Sequence, residues 1–165
     1  MVTPTDVGIS PDDPWFGYVK TVVELVRPAL PDLAVRAMPL GTTGIWPWAT
    51  RSAVFVLTAW DPGDERLSEE VNQARQAALD AELRPRAKAW WRTRGFDQIS
   101  GYRDAGVAVS GLDERLVLEA GARFGQDAVF AWSPDEWAII SCSGDRRLSL
   151  GWAVAEVHHR QGRSG

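Results

Sequence analysis

The sequence predicts a single α+β domain built around an antiparallel sheet. A chain of 165 residues is long enough for one domain with a core and short for two. Between residues 52 and 132, apolar segments of strand length alternate with two segments of helical length, each preceded by a capping residue. The resulting order is strand, helix, strand, strand, helix, strand. This is the order of the split βαβ unit, so we expect a ferredoxin-like core with both helices on one face of the sheet.

An N-terminal helix and strand are predicted before this core. Asp13 and Pro14 resemble a helix start, with the aspartate as cap and the proline at the first helical position. Apolar residues then recur every three or four positions, so we expect the helix to continue over residues 15–26. Residues 33–38 alternate as a short strand. The prolines and glycines of residues 39–50 predict a loop.

The core elements follow in chain order. Residues 52–60 form a near-continuous apolar run, typical of a central strand. Ser68 is the predicted cap of the first core helix, which extends to Leu83. The remaining elements are a strand over 87–94, a loop or bent hairpin over 95–105, a strand over 106–112, a helix from the Asp113 cap to Phe124, and strands over 127–132, 136–142 and 148–157. The last two strands would extend the sheet as a C-terminal β-meander.

This assignment divides the chain into three parts. Residues 1–12 are expected to form a loose arm, residues 13–157 the α+β domain, and residues 158–165 a polar tail. The loop over 39–50 carries Trp46 and Trp48. Packing of these two rings over the end of the sheet is the favoured interpretation, and a ligand lid or a partner-binding patch is the alternative.

Composition narrows the class of protein. The net charge of −4 argues against a protein whose main task is to wrap nucleic acid. The single Cys142 leaves no cysteine pair for a disulfide, and His158 and His159 lack further ligands for a metal site. The N-terminus has no signal-peptide pattern, and no segment approaches the roughly 18 apolar residues of a spanning helix. We therefore expect a cytoplasmic protein, monomeric or weakly dimeric, with no cofactor, metal or membrane partner.

An unusual group of polar residues surrounds the exit of the strand over residues 52–60. At 100° per residue, the apolar stripe of the following helix is centred on Val71, which places Arg75 inside the stripe and Asn72 on its edge. A buried charge needs a partner. The leading hypothesis is that Asn72 and Arg75 hydrogen-bond to the turn over residues 60–64 and lock it onto the helix.

Two other roles are open for these residues. Arginine's planar guanidinium suits a carboxylate partner or a bound anion equally well. A pocket for a small ligand or anion would use residues from both the strand exit and the helix, namely Thr58, Trp60, Asp61, Asn72 and Arg75. Catalysis by Asp61 is the third interpretation.

A basic segment over residues 84–94 is the second candidate site. It contains five basic residues and no acidic one. Period-two alternation places four residues on one face of the predicted strand, namely Lys88, Trp90, Arg92 and Arg94. A strip of this kind could stack a base and hold phosphate. An edge strand protected by charge is the favoured interpretation, with nucleic acid or an acidic protein partner as alternatives.

Several of these residues resemble a known family. The run Thr58-Ala-Trp-Asp-Pro62, followed by Leu67, Ser68, Asn72, Arg75, Leu79 and Leu83, is similar to the opening motif of a bacterial family, domain of unknown function 3293. The segments 107–112 and 123–130 resemble its second half in order and spacing. The resemblance covers about residues 53–132. It implies that Asn is more usual than Asp at position 61 and that Glu is usual near position 104, and it implies no particular activity.

Three classes of function remain open at this point. A non-catalytic binding or regulatory module for a protein or small-molecule partner is the leading hypothesis. An enzyme that uses Asp61 or Asp104, with Arg75 as an anion clamp, is the first alternative. Nucleic-acid binding through residues 84–94 is the second.

Overall fold

The chain forms a closed antiparallel β-barrel in a computed structural model that describes residues 7–158. Within these residues the eight strands are β1 Thr21–Leu25, β2 Asp32–Met38, β3 Val54–Leu57, β4 Ala89–Asp97, β5 Arg103–Ser110, β6 Ala128–Trp132, β7 Trp137–Ser141 and β8 Arg147–Val157. Their order around the barrel is β1-β2-β8-β7-β6-β3-β5-β4, and pairing of β4 with β1 closes it.

Three short helices accompany the barrel in the described part of the chain. They are α1 Phe16–Lys20, α2 Glu69–Leu83 and α3 Glu114–Arg123, and a single 3-10 turn over Arg84–Arg86 follows α2. The predicted caps of the two core helices are confirmed: the Ser68 hydroxyl accepts from the Val71 N–H at 3.2 Å, and the Asp113 carboxylate accepts from the Arg115 N–H. The predicted Asp13 cap is wrong, because α1 begins at Phe16 after Trp15 and has no side-chain cap. None of these helices is long and apolar enough to cross a bilayer.

The core is divided into two clusters by the alternation of side chains along each strand. On β3, Val54 and Val56 face the barrel interior, whereas Phe55 and Leu57 face outward. The outer cluster lies between the barrel wall and helices α2 and α3. Leu79 of α2 belongs to it and is fully buried. Helices α2 and α3 therefore cover the outside of β3, β5 and β6, whereas the interior is filled by side chains of the strands, of α1 and of the loops.

One end of the interior is filled by tryptophans. Trp132, Trp137 and Trp152 are 0% exposed, and the loop over residues 39–50 adds Trp46 and Trp48. The ring centroids of Trp46 and Trp132 are 5.0 Å apart, a distance typical of packed aromatic pairs. We call these five residues, together with Trp91, the tryptophan plug. The predicted packing of this loop over the end of the sheet is therefore confirmed for the end of the barrel.

The predicted ferredoxin-like α+β fold is wrong. The chain does run strand, helix, strand, strand, helix, strand from β3 to β6, and these strands lie side by side as β6-β3-β5-β4. However, β4 pairs with β1, β6 pairs with β7, and β2 and β8 bridge the remaining gap. The four-strand segment β6-β3-β5-β4 therefore has no free edge, because β7 pairs with β6 and β1 pairs with β4. Closure removes the unpaired edges that an open sheet would expose.

Two further predictions require correction. The helix predicted over residues 15–26 ends at Lys20, and β1 follows directly, because the β-branched pair Val22 and Val23 pairs with β4 and is buried. The predicted edge strand is also wrong, since β4 pairs with β1 on one side and β5 on the other.

The ends of the chain lie largely outside the described residues. Of the predicted arm, residues 1–6 are outside, whereas Ile9 is 8% exposed and packs with the interior cluster. Of the predicted tail, only His158 is described.

Candidate functional site

The exit of β3 is held by the first turns of α2. The Asp61 N–H donates to Asn72 Oδ1, and Asn72 Nδ2 donates back to Asp61 Oδ1, both at 2.9 Å. The Leu67 N–H donates to the same carboxylate oxygen at 2.8 Å. Asp61 adopts a left-handed backbone conformation with φ of 41°, which aspartate and asparagine tolerate better than most residues. These bonds fix the position of the turn after β3.

Arg75 ties the same turn to the end of α3. Its Nε donates to the Ala59 carbonyl at 2.9 Å, and a terminal guanidinium nitrogen donates to the Phe124 carbonyl. The predicted lock by Asn72 and Arg75 is therefore present, with the difference that Arg75 reaches Ala59 rather than the residues after it. Both donor positions serve backbone carbonyls, so Arg75 has a structural role here.

The predicted orientation of α2 is wrong. Val71, the expected centre of the buried stripe, is 47% exposed, whereas Asn72, Gln76, Leu79 and Leu83 are buried. The exit of β3 selects this face, because its backbone groups need hydrogen-bond partners: the Ala59 N–H donates to Gln76 Oε1 at 2.9 Å. The sequence signal for this buried face was the spacing of Asn72 and Gln76 by four residues. Leu79 and Leu83 then continue the same face.

The end of the barrel away from the tryptophan plug contains an open cavity of about 670 Å³. On β3, Val54 lies beside Trp132 of the plug, and the strand then runs towards Thr58 at the cavity wall. The inner wall is apolar and includes Val23, Val56, Phe130 and Ile139. The barrel thus has one closed end and one accessible end.

The polar wall of the cavity is built by the exit of β3 and the beginning of β5. The Tyr102 hydroxyl donates to Asp61 Oδ2 at 2.9 Å. The Arg66 guanidinium lies 4.5 Å from the Tyr102 ring centroid and 3.8 Å from the same carboxylate oxygen. Burial alone would raise the pKa of Asp61, but the hydrogen bonds from Asn72, Leu67 and Tyr102 outweigh it and hold that pKa below its ordinary value. Asp61 is therefore an ionised, fully engaged carboxylate.

Asp104 is a half-buried residue of the same cavity wall. It is paired across the sheet with Gly95, and a Cβ at Gly95 would lie 2.5 Å from Asp104 Oδ1. A glycine at position 95 therefore allows the carboxyl group to lie against β4. Burial raises the pKa of Asp104, the Gly95 N–H partly opposes this, and the charge of Asp61 adds to the rise, so that the net pKa is about 7.

The structure separates the predicted ligand-binding residues into two groups. Thr58, Trp60 and Asp61 line the cavity. Asn72 and Arg75 do not, and they act from behind the wall. Sequence reasoning missed Tyr102, because nothing in the polar loop before β5 indicates that its hydroxyl reaches the exit of β3, 41 residues away in sequence.

The basic segment forms part of the outer surface of β4. The predicted alternation is confirmed, since Lys88, Trp90, Arg92 and Arg94 are all exposed. Arg94 pairs with Glu24 at 3.3 Å and with Asp32 at 3.0 Å. The Arg84 guanidinium lies 3.7 Å from the centroid of the Trp90 ring. Two members of the strip thus already have partners within the chain, and nucleic-acid binding by the strip stays a prediction.

Within residues 7–158, no group of three or more His, Cys, Asp or Glu side chains is placed to hold a metal ion.

Comparison with known proteins identifies one segment. The model of the family described as protein of unknown function (DUF3293) matches residues 57–129. This segment is therefore similar to the DUF3293 family over residues 57–129. The predicted resemblance is thereby confirmed. The DUF3293 segment runs from the end of β3 into β6, so it contains the lock between Asp61 and Asn72 as well as Tyr102 and Asp104. No curated protein and no solved structure matches the chain significantly.

Proposed function

We propose that this protein is a non-catalytic binding module whose small-molecule ligand enters the open end of the barrel. The observation that supports the proposal is the cavity of about 670 Å³ opposite the tryptophan plug. Small-molecule sites commonly occupy roughly 300–1,000 Å³ and combine apolar walls with a few polar groups. Barrels of about eight strands can enclose one small ligand at this scale.

The arrangement of the cavity suits binding because its polar groups are held in place. Asp61 is fixed by Asn72 and Leu67, and it in turn orients the Tyr102 hydroxyl. Groups held in this way lose little conformational freedom when a ligand arrives, which favours affinity. The apolar inner wall supplies area to bury, and the fixed polar groups supply orientation.

Acid–base catalysis by Asp104 is a second candidate function. The supporting observation is a carboxyl group in the cavity wall whose pKa is raised to about 7, the range in which a side chain both accepts and releases protons at neutral pH. Asp61 is a poorer candidate because both of its oxygens already accept hydrogen bonds. Arg75 has no place in this candidate function, since it does not line the cavity and its Nε and one terminal nitrogen donate to backbone carbonyls.

A fragment screen tests the binding proposal. Ligand-observed NMR and thermal shift are measured on the unchanged protein and on Ala128→Phe, which places a ring in the cavity wall. A ligand at 100 times its dissociation constant should stabilise the unchanged protein by about 2.7 kcal/mol. The matched control is Ala155→Phe, the same change at an exposed strand position.

The expected result is a set of ligands that bind the unchanged protein and Ala155→Phe and fail to bind Ala128→Phe. Ligands that bind all three proteins equally would contradict the cavity as the site. Mass spectrometry of the same mixtures separates the second candidate: conversion of a ligand by the unchanged protein, lost in Asp104→Asn while binding persists, would indicate catalysis.

A further inference from the structure

We propose that the ligand of this cavity is an organic cation, an amine with an apolar body, whose ammonium group pairs with Asp104. This inference deepens the proposed function and depends on it, because it names the chemical class of molecule that the cavity selects.

The charge of the cavity wall is strongly one-sided. Among the described residues, the charged side chains that line it are five aspartates and one arginine, namely Asp61, Asp64, Asp97, Asp104, Asp127 and Arg66. A concave surface with charges of one sign and apolar walls concentrates the opposite charge. The cavity therefore disfavours anions and attracts cations.

Two of these aspartates already have partners. Asp61 accepts from Asn72, Leu67 and Tyr102. Asp97 forms an ion pair with Lys20 at 3.0 Å and accepts from the Ile99 N–H at 2.8 Å. Their charges contribute to the field of the cavity, but their oxygens are largely occupied.

Asp104 differs from both. The described residues supply it with the Gly95 N–H and with no ion pair, and the nearby charge of Asp61 repels its ionised form. A buried carboxylate is stable only when it is paired and hydrogen-bonded. A ligand ammonium would supply both the charge and the donors that this carboxyl group lacks.

The apolar part of the cavity indicates the chemistry of the uncharged part of the ligand. Tyr18 from α1 and Phe130 from β6 pack edge to face with ring centroids 6.3 Å apart, and both line the cavity. Aromatic faces attract cations and pack against apolar groups. An arylalkyl or alkyl ammonium ion therefore matches the wall better than a highly polar polycation.

Pairing with a cation also predicts proton release. The other titratable groups around Asp104 are Tyr18, Asp61, Asp64, Arg66, Asp97, Tyr102 and Asp127, with Lys20 behind Asp97. Asp61 and Asp97 have lowered pKa values, and the two tyrosines have raised ones, so these four do not titrate near neutral pH. A bound ammonium ion would favour the ionised form of Asp104 and release its proton.

The test uses three probes with similar apolar bodies and different charges: 2-phenylethylamine, 2-phenylethanol and 3-phenylpropanoate. Calorimetric titration at pH 7 is performed on the unchanged protein, on Asp104→Asn, and on Asp135→Asn, which makes the same change at an exposed turn. We expect the amine to bind at least tenfold more tightly than the alcohol, and 3-phenylpropanoate to bind more weakly than either. Asp104→Asn should abolish the amine's advantage and leave the alcohol's affinity within about twofold, whereas Asp135→Asn should change neither.

Titrations in buffers with different ionisation enthalpies provide a second readout, because proton release makes the observed heat depend on the buffer. Stronger binding of the neutral or anionic probe, an amine preference that survives Asp104→Asn, or no binding by any of the three probes would overturn the inference. The fragment screen with Ala128→Phe judges the proposed function separately. Ligands found in that screen that bind regardless of their charge would support the cavity as a binding site and contradict only the proposed preference for a cation.

Discussion

Asn72 and Asp61 are joined by two hydrogen bonds of 2.9 Å, one donated by each residue. Asn72 is 1% exposed and Asp61 is 9% exposed, so water does not replace either bond easily. The pair connects the first turn of α2 to the wall of the cavity. The helix outside the barrel thus determines where the polar groups of the cavity lie.

Removing Asn72 should therefore destabilise the protein. Asn72→Ala leaves the Asp61 N–H and part of its carboxylate without partners, and a buried unsatisfied polar group costs about 1–3 kcal/mol. Urea denaturation measures the loss. The neighbouring change Gln73→Ala is the control, because Gln73 is exposed and its side chain contacts Glu69 across one helical turn. Equal losses for the two variants would contradict the role of the pair.

Position 61 should accept asparagine and reject alanine. An asparagine oxygen can accept from Leu67 and Asn72, its amide group can donate to the Tyr102 oxygen, and asparagine tolerates the left-handed φ of 41°. We expect Asp61→Asn to lie within about 1 kcal/mol of the unchanged protein in urea denaturation, and Asp61→Ala to lose about 2 kcal/mol or more. A larger loss for Asp61→Asn would show that the negative charge, rather than the geometry, holds the turn.

Arg75 should contribute to stability and leave ligand affinity unchanged. Arg75→Ala removes the donors to the Ala59 and Phe124 carbonyls and should lower the free energy of unfolding by about 2 kcal/mol. Arg75→Lys should rescue little of this loss, since an ammonium group lacks the planar pair of donors. Arg115→Ala is the matched control, because Arg115 is exposed and pairs with Glu119 one turn away. A change in the affinity of a cavity ligand, with stability preserved, would instead support the clamp role.

Asp104 should make the protein less stable as the pH rises towards neutrality. Its pKa of about 7 in the folded state lies above the ordinary value of 3.8, so the folded state holds a proton that the unfolded state releases. The contribution of protonated Asp104 to the free energy of unfolding is fully present below about pH 4 and is lost as the pH rises through 7. Asp104→Asn removes this dependence, and the variant should gain stability relative to the unchanged protein between pH 5 and pH 8 by up to a few kcal/mol, since one pKa unit corresponds to about 1.4 kcal/mol.

Urea denaturation at several pH values measures this difference. Asp61 and Asp97 have lowered pKa values and act with the opposite sign at acidic pH, but they are present in both proteins and cancel in the comparison. A difference between the two proteins that is constant from pH 5 to pH 8 would contradict the raised pKa.

The tryptophan plug should support the barrel without taking part in binding. Trp46 packs against Trp132 and Trp152, and its Nε1 donates to the Thr50 carbonyl at 2.6 Å. Trp46→Ala should cost about 2–3 kcal/mol, less than the 3–5 kcal/mol typical of a fully buried tryptophan, because Trp46 is only half-buried. Ile45→Ala should cost little, since Ile45 is 88% exposed. A cavity ligand should bind Trp46→Ala with unchanged affinity, and weakened binding would place the ligand near the plug.

Several features of this protein were determined by the sequence itself. Ser68 and Asp113 mark the starts of α2 and α3, and the strands β2, β3, β6, β7 and β8 lie within or close to their predicted ranges. The family resemblance was likewise visible in the residues from Thr58 onward. These features depend on side chains a few positions apart, where capping, alternation and helical spacing act directly on the backbone.

Other features were decided only by the tertiary structure. Closure of the barrel requires β1 to pair with β4, and Val23 lies opposite Gly95, far away in sequence. The same closure ended the N-terminal helix at Lys20, and the hydrogen bonds required by the exit of β3 selected the buried face of α2. The juxtaposition of Asp61, Tyr102 and Asp104 is also a result of folding. No local pattern encodes these contacts, because each depends on the free energy of pairing segments that meet only when the whole barrel has formed.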